Sequence, residues 1–213
     1  MFNFTGKHAR NCLLKEFFRD DGYGLYDFDR DEIDSFIDIG ANVGLISMEA
    51  RFYYRKAKIY AFEPCRETYN MLVDNVKNFR IETFNLAFGN GELSHMKDRS
   101  ISTQNMFSEE NDKNSETCES LTINQIFEKL NLPTESTFIK MDCEGAEINL
   151  IDDDFELLKK CKRISLETHR KSNRLLREWF EKNFSDTHVI ESRKPKYHVK
   201  LNNLNIIRKD CLK

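Results

Sequence analysis

Two groups of residues in this chain have the types and spacing of a reaction site. The first lies in Phe36-Ile37-Asp38-Ile39-Gly40-Ala41-Asn42-Val43-Gly44, where an apolar run carrying one acid, Asp38, meets a turn with glycines at 40 and 44. Glycine lacks the Cβ that keeps a backbone and a ligand apart. A turn that opens a helix also presents free N–H groups and the positive end of the helix dipole, which favour an electron-rich ligand. The plain alternative is an ordinary strand-to-helix turn. Glu63 stands directly after a second apolar run, roughly 20 residues past the glycines, where an acid accepts hydrogen bonds from both hydroxyls of a ribose. Its alternative is a solvated loop carboxylate.

The second group is Lys140, Asp142 and Glu144, followed at a distance by Ser165, Glu167 and His169. Strand side chains alternate faces, so Lys140 and Asp142 point one way, and Ser165, Glu167 and His169 line up with one another. If the two runs are neighbouring strands, Lys140, Asp142, Glu144, Glu167 and His169 converge beyond the carboxyl ends, where ligands of open α/β sheets bind. Charges of both signs can offset one another there. His169 is the candidate general base for a hydroxyl, because its ordinary pKa is near neutrality; Glu167 or Asp142 could orient it or act instead. The competing readings are a polar strand end for His169 and a carboxylate favoured by a helix start for Glu144. Asp142, Glu144, Glu167 and His169 also offer three oxygen donors and an imidazole, a set suited to magnesium or manganese rather than zinc. Lys140 would oppose a divalent ion, and the expectation is a site without metal.

The elements that must position these residues follow from periodicity. Residues 7–19 carry Ala9, Cys12, Leu13 and Phe17 at helical spacing, and Gly22 and Gly24 break that helix. The acidic, aromatic stretch up to Asp34, with Tyr23, Tyr26 and Phe28, is expected to pack on a sheet edge rather than cover a pocket. Residues 1–34 are thus a lead-in to a single domain over 35–213. Leu45, Met48, Phe52 and Tyr53 form a helical stripe, 58–62 reads as a second strand, and Tyr69, Leu72, Val73 and Val76 mark the next helix, making a βαβ unit. A third strand spans 81–88. Residues 94–120 are polar and predicted to be a long mobile insertion without elements of its own. A helix over 121–130, a strand over 137–141, a helix using Ile148, Ile151 and Phe155, and a strand over 163–167 follow. Ser172 is a candidate N-cap for a helix burying Leu175, Leu176, Trp179 and Phe180. The chain closes in a hairpin of 187–191 and 197–207.

Alternating strands and helices predict an α/β fold with a parallel sheet. Closure by a hairpin suits a Rossmann-like class I methyltransferase: a mostly parallel seven-stranded sheet, helices on both faces and a C-terminal antiparallel hairpin. The turn agrees, because a dinucleotide fingerprint reads G-x-G-x-x-G, whereas Asn42 stands at the second glycine position and Asp38 sits two residues before the first. In enzymes that use S-adenosylmethionine (SAM), such an acid lies beside the amino-acid end of the cofactor. Asp142 is then expected to contact the cofactor amino group or the acceptor hydroxyl.

The runs Phe36-Ile-Asp-Ile-Gly-Ala-Asn-Val-Gly44, Ala61-Phe-Glu-Pro64, Asn85-Leu-Ala-Phe-Gly89, Ile139-Lys-Met-Asp-Cys-Glu-Gly-Ala-Glu147 and Leu166-Glu-Thr-His169, in that order, resemble the FkbM-type methyltransferases over residues 33 to 208. The resemblance implies SAM as methyl donor, with Asp38, Gly40, Asn42, Gly44, Glu63, Ala87 and Asp142 at the cofactor, and an oxygen nucleophile on a sugar, polyketide or other small metabolite. The short N-terminal region, the polar insertion and Ser-Leu-Thr-Ile-Asn-Gln in place of a Thr-Leu-Asp-Asp run depart from the family pattern. The first two leave the acceptor class open.

A formal net charge of −3 gives no global electrostatic footprint for nucleic acid or an anionic membrane. Methylation of RNA or protein stays as a rival, carried by the local basic run Arg193, Lys194, Lys196, His198 and Lys200, whose plain reading is a solvated hairpin tip. A non-catalytic SAM-binding scaffold is a second rival, opposed by the intact Asp38, Gly40, Gly44, Glu63 and Asp142. Six scattered cysteines without CxxC or zinc spacing read as reduced thiols. With no apolar leader and no run approaching 18 apolar residues, the expectation is a cytoplasmic protein without membrane contact, acting on a small hydroxylated acceptor, with a homo-oligomer left open.

Overall fold

A computed structural model of the chain describes residues 3, 21–97, 106–107, 115–153, 155–168, 173–193 and 202–212. The expected helix over 7–19, His169, the cap Ser172 and the basic positions 194–200 lie outside the described residues.

In chain order the elements are β1 (Ser35–Ile39), α1 (Leu45–Tyr53), β2 (Lys58–Phe62), α2 (Arg66–Val76), β3 (Ile81–Phe84), β4 (Ala87–Phe88), β5 (Leu93–Lys97), β6 (Met106–Phe107) and β7 (Ser115–Leu121). Then come α3 (Ile123–Leu130), β8 (Thr137–Met141), a 3-10 turn (Ala146–Asp152), α4 (Phe155–Leu158), β9 (Arg163–Thr168), α5 (Asn173–Phe184), β10 (His188–Arg193) and β11 (Asn202–Arg208). Seven strands form one sheet in the order β10-β11-β9-β8-β1-β2-β3. β1, β2, β3, β8 and β9 run parallel, and β11 lies antiparallel between β9 and β10. This is the class I methyltransferase arrangement expected from the alternation of elements and the closing hairpin.

Two expectations need correction. The stretch 81–88 is not one strand: it bends after Phe84, and Ala87–Phe88 joins a separate four-stranded sheet, β4-β7-β5-β6. The other three strands of that sheet fall within 93–121, so the polar insertion has elements of its own. Polarity misled there because Ser115–Leu121 is mostly polar yet buries alternate side chains, as strand periodicity allows; Cys118 and Ser120 are buried while Thr117 and Glu119 are exposed.

The main sheet has two unlike faces. One is apolar throughout: Ile37, Ile39, Ile139, Met141, Ile164, Leu166, Leu204 and Ile206 pack against Ile126 and Phe127 of α3 and Leu176, Phe180 and Phe184 of α5. The other face starts apolar, with Phe36 and Phe138 meeting Leu25, Phe28, Ile33 and Tyr54. One pleat further on it becomes polar. Asp38 pairs in register with Lys140, Lys140 with Ser165, and Ser165 with Asn205, and all four are buried.

The lead-in 21–34 is fastened to this second face by Arg163, which is fully buried. Its guanidinium donates to Asp27 and Asn205 and lies over the rings of Phe28 and Phe138, at 5.7 and 5.3 Å. Gly24 makes room for it: a Cβ there would stand 2.0 Å from Nη2 of Arg163, at a φ of +68°. Truncating Arg163 removes a buried cation together with its packing, so Arg163→Ala is expected to cost about 3–5 kcal/mol. Urea denaturation checks this, and a loss under about 1 kcal/mol, the size of a surface ion pair, would contradict it.

Candidate functional site

At the carboxyl end of β1 the chain turns through Gly40-Ala41-Asn42-Val43-Gly44 into α1, with φ of +74° at Gly40, +51° at Asn42 and +91° at Gly44. Left-handed backbone of this kind suits glycine and is tolerated by asparagine. The two glycines have an internal reason as well as the expected one. A Cβ on Gly40 would lie 1.7 Å from the carbonyl oxygen of Asp142, and one on Gly44 would lie 2.7 Å from Leu72 and 2.9 Å from Val76 on α2. Their small size lets the turn close onto β8 and α2.

Asp38 is fully buried beneath this turn. It accepts a 2.5 Å hydrogen bond from Ser47 Oγ on α1 and pairs with Lys140 Nζ at 2.9 Å. Lys140 also donates to the Gly40 carbonyl at 2.8 Å. Burial works against the Lys140 ammonium, but the carboxylates of Asp38 and Asp142 outweigh it and hold its pKa above the usual lysine value. Lys140 is therefore a cation that locks the turn. Glu63, at the end of β2, accepts from the backbone N–H of Asn42 (2.9 Å) and of Cys65 (3.0 Å), one on each oxygen. Its burial raises its pKa to about 7, against those two hydrogen bonds and the Lys140 charge, which pull the other way.

A cleft opens over the turn, lined by Gly40, Asn42, Val43, Lys140 and Asp142 and walled by Tyr23. Tyr23 was expected on a sheet edge; its hydroxyl instead lies 3.2 Å from Asp142 Oδ2 and 3.1 Å from Glu167 Oε2. Its ring faces Lys140 Nζ at 5.4 Å. Asp38, Gly40, Asn42, Glu63, Lys140, Asp142 and Glu167 are thus brought to one end of the sheet; of the set that strand periodicity predicts there, this includes Lys140, Asp142 and Glu167, while His169 lies outside the described residues. Of the expected site residues, Gly40, Asn42, Lys140 and Asp142 line the cleft, whereas Asp38, Gly44, Glu63, Ala87, Glu144 and Glu167 do not. Glu144 sits at φ +52° in the turn after Asp142, held where the Gly145 N–H donates to Glu147 at 2.8 Å. Ala87 is buried against Cys118 in the second sheet. Among the described residues no three His, Cys, Asp or Glu side chains are grouped to hold a metal ion.

The residues that sequence reasoning passed over are Tyr23, Ser47, Arg163 and Asn203. Alternation was the available signal: Arg163, Ser165 and Glu167 occupy every second place in one strand, and Asn203 and Asn205 do so in another, marking a polar face. Tyr23 lies between Gly22 and Gly24, a spacing that frees the backbone to turn an aromatic inward.

The model of the FkbM methyltransferase domain matches residues 38–197 of this sequence, most of its length. The chain belongs to the FkbM methyltransferase domain family. Among solved structures, an FkbM methyltransferase from Methylobacillus flagellatus KT superimposes with a TM-score of 0.61 at 16% identity, covering 83% of this chain and 44% of that one. The chain therefore spans under half the length of that relative. A precorrin-6y C5,15-methyltransferase from Geobacter metallireducens GS-15 aligns with a TM-score of 0.53 at 13% identity over 97% of this chain and 90% of its own. Fibrillarin, a pre-rRNA processing protein of Methanococcus jannaschii, gives 0.54 at 13% identity over 98% and 77%. At these identities the likeness shows the fold. A comparison with curated proteins finds no match. No helix among the described residues is long and apolar enough to cross a membrane.

Removing one member of the buried ion pair strands the other, so Lys140→Met is expected to destabilise the fold by about 3–5 kcal/mol, with much of that recovered in Lys140→Met/Asp38→Asn. Chemical denaturation of both variants checks the coupling, and a double variant no better than the single one would contradict it. Glu63 gives a pH signature. Its folded pKa of about 7 stands above the ordinary glutamate value of 4.5, so the folded form holds the proton more tightly. The Glu63 contribution to stability is full below the unfolded pKa and falls, by roughly 1.4 kcal/mol per pH unit, as pH rises towards the folded pKa. Glu63→Gln is expected to flatten stability between about pH 4.5 and 7; an unchanged slope would contradict the assignment.

Proposed function

We propose that this FkbM-family chain is a SAM-dependent methyltransferase acting on a hydroxyl of a small metabolite, sugar or polyketide-like acceptor. The observation that carries the cofactor reading is Asn42 Oδ1, a buried acceptor without a hydrogen-bond partner, set in the glycine turn between Lys140 and Glu63. A buried orphan of this kind is costly unless a ligand meets it. The residues fit SAM. Asn42 and Asp142 would hold the amino-acid end, and Glu63, whose two oxygens keep lone pairs beyond those used by Asn42 and Cys65, would accept from the ribose hydroxyls. Asp38 acts one layer below, through Lys140 and the Gly40 carbonyl.

SAM supplies a methyl group on a sulfonium, a good leaving group. The protein must hold the acceptor oxygen in line with it and take up the hydroxyl proton, and positioning carries much of the rate. Asp142 and Glu167, joined through the Tyr23 hydroxyl, lie where that proton is released, and His169 remains the proposed base that follows β9. The basic run on which the RNA or protein reading rests lies, from 194 to 200, outside the described residues.

Calorimetric titration with SAM and S-adenosylhomocysteine tests the reading. Micromolar binding is expected, weakened about tenfold or more by Glu63→Ala, the loss of one or more charge-assisted hydrogen bonds. Glu63 is the cleaner probe than Asp38, whose removal would also unfold the ion pair. His169→Ala is expected to keep cofactor affinity and lower methyl transfer to hydroxylated acceptors. Unchanged affinity in Glu63→Ala would contradict the placement of the ribose.

A further inference from the structure

β2 and β3 end side by side, with Phe62 opposite Phe84 in their parallel pairing. Beyond that pair the two chains part: Glu63-Pro64-Cys65 leads into α2, and Asn85-Leu86 bends away to β4 in the second sheet. A chain leaving a sheet gives up its ladder partners, so its main-chain groups must find others. The Glu63 N–H still donates to the Phe84 carbonyl, at 3.0 Å. The carbonyls of Glu63 and Pro64 are met by a single side chain: Asn85 Nδ2 donates to them at 2.9 and 2.8 Å. Both partners are acceptors, so the amino group of the carboxamide, with its two N–H donors, is the end that faces them.

Asn85 is itself held from the second sheet. Ala87 and Phe88 pair with Ser120 and Leu121 of β7, and the Gly89 N–H donates to the Leu121 carbonyl at 3.0 Å. Cys118 Sγ, on the same strand, donates to the Asn85 carbonyl at 3.7 Å. The second sheet therefore fixes the bend, and the bend sets Asn85 against the two carbonyls. From the backbone so held projects the Glu63 carboxylate, with one oxygen on the Cys65 N–H and the other on the Asn42 N–H of the glycine turn.

We propose that Asn85 is a positioning residue for the cofactor: through the Glu63 and Pro64 carbonyls it sets the Glu63 carboxylate where the ribose hydroxyls meet it. This rests on the reading that places the ribose on Glu63. A carboxylate that must accept from two hydroxyls needs a fixed direction as well as a fixed place, because a hydrogen bond weakens steeply as its angle closes. Asn85 supplies that direction without touching the cofactor, and it carries to the site the support of the second sheet. An asparagine that merely satisfied two carbonyls would contribute to stability and leave recognition of the ribose unchanged.

The test compares S-adenosylhomocysteine with its 2′-deoxy analogue by calorimetric titration of the full chain. The wild-type protein is expected to prefer the ribonucleoside by about tenfold or more, the loss of one charge-assisted hydrogen bond. Asn85→Ala, at a half-buried position, is expected to weaken S-adenosylhomocysteine about tenfold and to cut that preference below about threefold. In a Glu63→Ala background the same change should alter affinity by less than about twofold, because the two residues act as a unit. Asn85→Ser, which retains one donor, is expected to show an intermediate preference and gives the same reading should the alanine variant not fold. A wild-type preference kept in the Asn85 variants, or an equal loss from Asn85→Ala with and without Glu63, would mark a purely structural residue. Either result overturns the proposal and leaves the ribose placement standing. A wild-type protein that binds the two compounds equally, or binds neither, overturns the ribose placement and the proposal with it.

Discussion

The buried pair of Lys140 and Asp38 is the constraint on which the site depends. The two residues lie side by side in the parallel pairing of β1 and β8, and the 2.9 Å contact between them is sealed from water. A buried ion pair is weak as a source of stability but strong as a source of register, because either charge alone is intolerable. The pair fixes more than two strands. Lys140 also holds the Gly40 carbonyl, and Asp38 holds Ser47 at the start of α1, so strand, turn and helix are tied to one another at the place where the left-handed turn leaves the sheet.

The rest of the site is built outward from that point. The tight approach of Gly40 to the Asp142 carbonyl joins the turn to the loop after β8, and Glu63 clamps the turn from the β2 side through the Asn42 N–H. On the far side Arg163 pins the lead-in to the sheet and so delivers Tyr23 to Asp142 and Glu167. One face of the sheet supplies cohesion and the other changes from aromatic to polar along the strand direction. Hydrophobic burial holds the layers together, and the polar end decides what can bind between them.

Much of this was legible in the residues. The glycine turn, the acid two places before it, Glu63 after β2 and the pair Lys140 and Asp142 are local in sequence, and alternation assigns each a face. The family motifs cover the same positions. What escaped was what depends on distant partners. Tyr23 reaches Glu167 across a separation of 144 residues, and nothing in the lead-in announces a contact that only the fold creates. Gly40 and Gly44 were legible as glycines, but the neighbours that require them, Asp142, Leu72 and Val76, were not. The second sheet was hidden because its strands are short and one-sided, with few apolar residues to betray them. Ala87 and Glu144 show the converse: the family motif places Ala87 beside the cofactor and strand geometry places Glu144 among the catalytic candidates, whereas the chain turns Ala87 into the second sheet and Glu144 into a left-handed turn, away from the lining of the cleft.

The central claim is that the turn locked by Lys140 and Asp38 is a cofactor cradle. A crystal structure with S-adenosylhomocysteine tests it most directly. The account predicts the nucleoside over the Gly40–Gly44 turn, with the ribose hydroxyls on Glu63 and the amino-acid end near Asn42 and Asp142. A ligand bound elsewhere, or one whose ribose makes no contact with Glu63, would contradict it.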